Sequence, residues 1–252
     1  MSAPTVKHVV CARRSVVFLH GQPGAGSDWD DVVSLLPPSL RAVTPDRPGY
    51  GDNRGPATTL ADNARWLVER LTDHSVLAGH SYGGGVALAA AACAPERVRG
   101  LVLIASVGPG CLTPFDTVLA APIAGPMLSI TGLSLLPWLA RRYPGHAAHP
   151  ALRTLTGLRR SHGALWRSFL LEQRELRNGL PQWLDRIAGS SVPTLIIADP
   201  ADKVVPFATA RALHDLLPCS RLAPVERGGH DLPRRVPHIV AAEIGAFVDS
   251  LD

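Results

Sequence analysis

The sequence predicts an α/β chain built on a mostly parallel, doubly wound sheet, and three observations predict it. Short apolar runs alternate with longer helical runs over most of the 252 residues, the rhythm of a parallel sheet covered by helices. The apolar runs show little internal alternation, as strands buried on both faces require. Finally, Gly79-His80-Ser81-Tyr82-Gly83 joins one apolar run, Val76-Leu77-Ala78, to the alanine-rich segment Val86 to Ala92 with almost no connecting loop.

In chain order, Val16-Val17-Phe18-Leu19 reads as a buried strand, near 16 to 20, that runs into His20-Gly21-Gln22-Pro23-Gly24. A helix near 27 to 36 leads to a strand near 41 to 45 and the turn Asp46-Arg47-Pro48-Gly49-Tyr50-Gly51. A helix near 60 to 72 precedes the strand near 75 to 79, the helix near 82 to 93 that Pro95 ends, and a strand near 99 to 104. After an irregular middle come the strand near 194 to 198, a helix near 207 to 216 stopped by Pro218, a strand near 221 to 225 and a last helix near 236 to 250. A chain of this length can bury a sizeable core as one domain with an insertion. It contains no internal repeat and no low-complexity tail.

A strand that reverses into a helix within two residues strains the residue at its tip and leaves little room for side chains two positions either side. Glycine at 79 and 83 meets that need. Ser81 would then project its hydroxyl at a helix N-terminus, where the dipole and free N–H groups favour developing negative charge. A serine hydroxyl is a weak nucleophile at neutral pH, so this reading obliges the chain to supply a base, an orienting carboxylate and oxyanion donors. His230, in the loop Gly228-Gly229-His230-Asp231, is the expected base. The expected acid is Asp202, in the segment that follows the Thr194 to Ala198 strand, with Asp199 and Asp231 as alternatives. The chain order serine, acid, histidine separates this set from the two other well-known serine triads.

With these residues in place, the chain resembles the α/β-hydrolase superfamily, in the branch carrying H-G-x-P-G, D-x-P-G-x-G, G-x-S-x-G, D-x-x-V-P and G-H in that order. The matches are His20 to Gly24, Asp46 to Gly51, Gly79 to Gly83, Asp202 to Pro206, and Gly229-His230. The resemblance implies that the backbone N–H groups of Gln22 and Tyr82 form the oxyanion hole, and that His20 and Asp46 are structural. Asn53 departs from the serine the family often has there, and the fifteen residues before Val16 imply an opening hairpin that is short or partly missing. The resemblance further implies a helical cap inserted at 108 to 190, with the α/β core formed by 1 to 107 and 191 to 252.

Within that middle region, Thr117 to Ala140 is uncharged over 24 residues. That is long enough to span a bilayer, but Pro122, Pro126 and Pro137 with Gly125 and Gly132 would break a lipid-exposed helix, so no transmembrane segment is expected. Short cap helices packing on the core, or lining an apolar acyl pocket, fit it better. Trp138, Trp166 and Trp183 fall in the same region. So do nine arginines, against four acids: Asp116, Glu172, Glu175 and Asp185. Such a lid would attract an anionic substrate or an acidic membrane surface, or simply present a solvated helix face.

No aromatic-interleaved basic motif or DNA-reading helix points to nucleic acid. The first residues lack the apolar core of a secretory signal, which makes a cytoplasmic protein the default. Cys11, Cys93, Cys111 and Cys219 are widely spaced and read as free thiols. His146 and His149 have no neighbouring carboxylate to complete a metal site. The expected function is hydrolysis of a carboxylic ester, of a fairly apolar small-molecule substrate, through an acyl-Ser81 intermediate and without metal or organic cofactor. Because epoxide hydrolases and haloalkane dehalogenases of this superfamily use an aspartate nucleophile, Ser81 argues against both. A carbon–carbon bond hydrolase or lactonase acting on a small acid is the alternative, and a non-catalytic ligand receptor on the same fold a minor one. No motif names the substrate or sets an oligomeric state.

Overall fold

A computed structural model of the chain describes residues 14–53, 55–71, 74–121, 123–131 and 165–251. Six strands form one sheet: β1 Arg14–Leu19, β2 Leu40–Val43, β3 Ser75–His80, β4 Val98–Ile104, β5 Thr194–Ala198 and β6 Ser220–Pro224. Their order is β2-β1-β3-β4-β5-β6, and every described pairing is parallel.

Two apolar layers lie against the sheet, which explains the nearly unbroken hydrophobic runs. Val17, Leu19 and Leu77 face α2 (Leu60–Val68), α3 (Tyr82–Cys93) and the helices Leu180–Ile187 and Phe207–Leu216. Val16, Phe18, Val76 and Ala78 face α1 (Asp30–Ser34) and the final helix Pro237–Asp249. Alternate residues of one strand therefore serve opposite layers, and a one-residue slip would exchange them.

Between β4 and β5 the described helices are α4 (Pro114–Ala120), α5 (residues 124–131), α6 (Leu165–Asn178) and α7 (Leu180–Ile187). The remaining helices are α8 (Phe207–Leu216), α9 (Leu232–Arg235) and α10 (Pro237–Asp249). Thr113 caps α4 in a reciprocal arrangement with Asp116, and Pro114 occupies its first turn. The opening hairpin, Cys11, Trp138, the His146 and His149 pair and the arginines from 141 to 160 lie outside the described residues. Cys93, Cys111 and Cys219 are free. Among the described residues no helix is long and apolar enough to cross a membrane, and no group of three or more His, Cys, Asp or Glu is placed to hold a metal ion.

The sheet order reverses between β1 and β3, so the loops leaving their carboxyl ends diverge and leave a crevice there. The loop after β1 and the turn after β3 border it. The segments after β5 and β6 reach the same edge.

Candidate active site

Ser81 stands at the tip of the β3 to α3 turn with φ 53° and ψ −120°, a conformation that costs a side-chain-bearing residue on the order of 1–3 kcal/mol. Close packing imposes it. A Cβ on Gly83 would overlap the carbonyls of Leu19 and His20, and one on Gly79 would overlap the Gly83 carbonyl. The backbone is pinned by bonds from Ser81 N–H to Ile104 O (3.0 Å) and from Val107 N–H to Ser81 O (3.2 Å).

His230 reaches the serine from the loop after β6, its Nε2 3.0 Å from Ser81 Oγ. Its Nδ1 lies 2.9 Å from Asp202 Oδ2. The other carboxylate oxygen of Asp202 accepts the N–H groups of Val204 (2.7 Å) and Val205 (3.1 Å), which fixes the plane of the acid. Nδ1 is then the protonated ring nitrogen, and Nε2 is free to accept from the serine.

The two alternative acids go elsewhere. Asp231 pairs with Arg234 at 3.1 Å. Asp199, 1% exposed, accepts N–H groups from Ala201, Gly228 and Gly229. Burial acts to raise its pKa, but the three backbone donors outweigh it and hold the carboxyl below its ordinary value.

Of the two expected oxyanion donors, Gln22 borders the same space and Tyr82 directly follows the serine. Tyr82 opens α3, where first-turn N–H groups have no intrahelical acceptor. Gln22 lines the cavity with Ser81 and His230. That cavity measures about 490 Å³. Val107, Leu119, Phe169 and Leu176 make much of its wall apolar, while Asp116 and Gln173 add polar groups. Lys203 carries the only ammonium or guanidinium group among the described lining residues. The described arginines of the middle region (Arg167, Arg174, Arg177 and Arg186) are exposed and do not line it.

His20 and Asp46 take the structural places expected of them. His20 Nε2 accepts the Arg47 N–H (3.0 Å), so its Nδ1 carries the proton and donates to Gly21 O (2.9 Å). Burial, reinforced by Arg47, holds its pKa well below the usual histidine value. Asp46 accepts the N–H groups of Gly26 (2.7 Å) and Asp52 (2.8 Å).

Sequence reasoning missed four supporting residues. His80, directly before the serine, bonds through Nε2 to the His230 carbonyl at 2.8 Å. Burial first, and the neighbouring His230 second, lower its pKa to about 4, so it is neutral near pH 7. Arg47 and Glu172 form an ion pair with no exposed side-chain surface. Tyr50 donates its hydroxyl to Glu172 at 2.6 Å. Burial acts against the Arg47 charge, but Glu172 outweighs it and raises the guanidinium's pKa. Burial likewise pushes the Glu172 carboxyl up, against the pull of Arg47. The carboxylate faces donors only, the setting of an ionised acid. Its neighbours Ser168 and Glu175 bond Gly49 O and Leu60 N–H, so one face of α6 grips the core through polar side chains. The only sequence signal was their helical spacing of four and three residues.

Comparison with known proteins agrees with this fold. The model of the alpha/beta hydrolase family matches residues 16–243. The provisionally named carbamate hydrolase RutD of Cronobacter sakazakii is 29% identical over 230 residues, covering 85% of this chain and 83% of the relative. The pimeloyl-[acyl-carrier protein] methyl ester esterase of Aromatoleum aromaticum is 27% identical over 236 residues, covering 86% and 91%. Among solved structures, a thermophilic esterase from Thermogutta terrifontis superposes with a TM-score of 0.76 at 22% identity, over 94% of this chain and 90% of that one.

Proposed function

We propose that this chain, which belongs to the alpha/beta hydrolase family, is a serine hydrolase that cleaves a carboxylic ester of a fairly apolar small molecule. The observation that carries this reading is the continuous line from Asp202 Oδ2 through the His230 ring to Ser81 Oγ, at 2.9 and 3.0 Å, opening on a largely apolar cavity. The esterase named among its relatives supports the same chemistry.

In the reaction, His230 Nε2 takes the proton from Ser81 as the hydroxyl oxygen attacks the carbonyl carbon. Asp202 keeps the imidazole in the tautomer that can accept, then stabilises the imidazolium. The carbonyl oxygen gains its charge between the N–H groups of Gln22 and Tyr82, and removing one such donor typically costs about a hundredfold or more in rate. The alcohol leaves with the proton from His230. Water then enters, gives a proton to the same nitrogen and releases the acid from Ser81.

Lys203 favours one second reading, hydrolysis of a lactone or a carbon–carbon bond in a substrate that carries a carboxylate, since it places an ammonium group at the cavity. A p-nitrophenyl ester series from acetate to palmitate, run on wild type and Ser81→Ala, tests the main reading. Turnover lost in Ser81→Ala is expected. Wild type no faster than Ser81→Ala on every ester would overturn ester hydrolysis and send the search to lactones and dienoate-type substrates.

A further inference from the structure

We propose that Arg47 is a positioning residue for the oxyanion hole, and that Glu172 on α6 holds it in place. This rests on the catalytic reading of Ser81 and Gln22 given above.

The geometry centres on one peptide group. The carbonyl of Gly21 and the N–H of Gln22 belong to the same trans peptide, so they lie in one plane and point opposite ways. Arg47 Nη2 donates to Gly21 O at 2.9 Å, and Arg47 Nε donates to His20 O at 3.0 Å. His20 Nδ1–H takes the remaining acceptor position on Gly21 O at 2.9 Å. With its carbonyl held by two donors, this peptide cannot rotate without breaking both bonds, and the direction of the Gln22 N–H is set. The peptide also lies close to the nucleophile: a Cβ on Gly21 would come 3.2 Å from Ser81 Cβ. A cation bonded to the carbonyl further polarises the N–H on the other side, which strengthens it as a donor to developing negative charge.

Arg47 has little choice of position. Nη1 and Nη2 both reach Glu172, the second at 3.4 Å, and the guanidinium carbon sits 4.9 Å from the ring centroids of Tyr50 and Tyr82. Tyr82 is the residue whose N–H is the second expected oxyanion donor. Thus a carboxylate from the segment between β4 and β5 braces a donor on the loop after β1.

The test uses the full-length chain carrying Glu172→Gln, which keeps the shape and removes the charge, and Tyr50→Phe, which removes one donor to Glu172 with less risk to folding. Turnover of p-nitrophenyl acetate and inhibition by a boronic acid that forms a tetrahedral adduct are measured, with Ser81→Ala as baseline. Glu172→Gln should lower kcat about tenfold to a hundredfold with KM within about threefold, and weaken boronate binding by a similar factor. Tyr50→Phe should change both in the same direction by less. A purely structural pair would lower the thermal midpoint without this matched loss. Folded variants with kcat and boronate affinity within twofold of wild type would overturn the positioning role while leaving a Ser81-dependent esterase intact. Wild type no faster than Ser81→Ala would remove the catalytic reading and the positioning role with it.

Discussion

Asp199 and Gly229 are joined across the ends of neighbouring strands, the aspartate Oδ2 accepting the glycine N–H at 2.6 Å one residue before His230. The acid three residues before Asp202 thus holds the histidine's loop, while Asp202 holds its ring.

The two acids should therefore fail differently. In Asp202→Asn, the N–H groups of Val204 and Val205 select the amide oxygen for the Oδ1 place, which turns the amide NH2 toward His230 Nδ1. That nitrogen must then accept, Nε2 must carry the proton, and the base is lost. A fall of about 10⁴-fold in kcat is expected with little change in thermal midpoint. Asp199→Asn keeps one acceptor oxygen where three N–H groups need two. It should lower stability by about 1–3 kcal/mol per stranded donor and slow turnover less. Steady-state kinetics beside urea unfolding would decide, and the reverse pattern would exchange the two roles.

Acidification should cost stability in two stages. His20 and His80 are held neutral in the folded chain, their pKa values lying well below 6.5 and at about 4. The unfolded chain therefore binds these protons first, and stability that is full above about pH 6.5 is lost as pH falls toward 4. Asp199, whose folded pKa is depressed, adds a second loss below about pH 4, where the unfolded carboxyl protonates first. Urea midpoints between pH 7.5 and 3.5 would test this, and His80→Gln should reduce the slope of the first stage by about one proton. An unchanged slope would mean that His80 titrates normally.

Two glycine positions predict a contrast. A Cβ at Gly83 meets the backbone oxygens of Leu19 and His20, which cannot yield without moving β1. Gly110 has φ 70° but nothing within 4 Å of an added Cβ. Gly83→Ala should cost about 3 kcal/mol or more and remove activity, whereas Gly110→Ala should cost about 1 kcal/mol of conformational strain. Thermal unfolding of the two proteins separates packing from backbone conformation.

The same difference between local and distant causes explains what the sequence made legible. All six strands lie within two residues of their expected ends, because burial on both faces writes itself into unbroken runs such as Thr194 to Ala198. Ser81 and His230 stood out because tight turns demand glycine and glycine marks their neighbourhoods, Asp202 because of its place in a D-x-x-V-P segment after a strand, and the structure brings the three into one hydrogen-bonded line. The Arg47 and Glu172 pair could not be named. Its members lie 125 residues apart, and Glu172 reads in the chain as one more charge on an arginine-rich helix face, yet it is fully buried. The helix expected near 27 to 36 divides into a 3-10 turn at Gly26–Trp29 and α1, where Asp28 turns back to bond the Ala25 N–H at 3.0 Å.

Ser81 itself offers the sharpest test of strain kept for function. Its φ of 53° with ψ −120° is a region that glycine enters freely and other residues enter at a cost of about 1–3 kcal/mol. The bonds to Ile104 and Val107 and the crowding around Gly79 and Gly83 hold the backbone there whatever side chain residue 81 carries. Ser81→Ala removes the hydroxyl and keeps the strain. Ser81→Gly removes both, and its relief should exceed the roughly 0.5–1 kcal/mol that glycine loses through added freedom in the unfolded chain. Both variants should be inactive, with Ser81→Gly about 1 kcal/mol more stable than Ser81→Ala. If Ser81→Ala proved the more stable in urea, the turn would relax when the hydroxyl is lost, and the strain would belong to the serine's contact with His230 rather than to the packing of the turn.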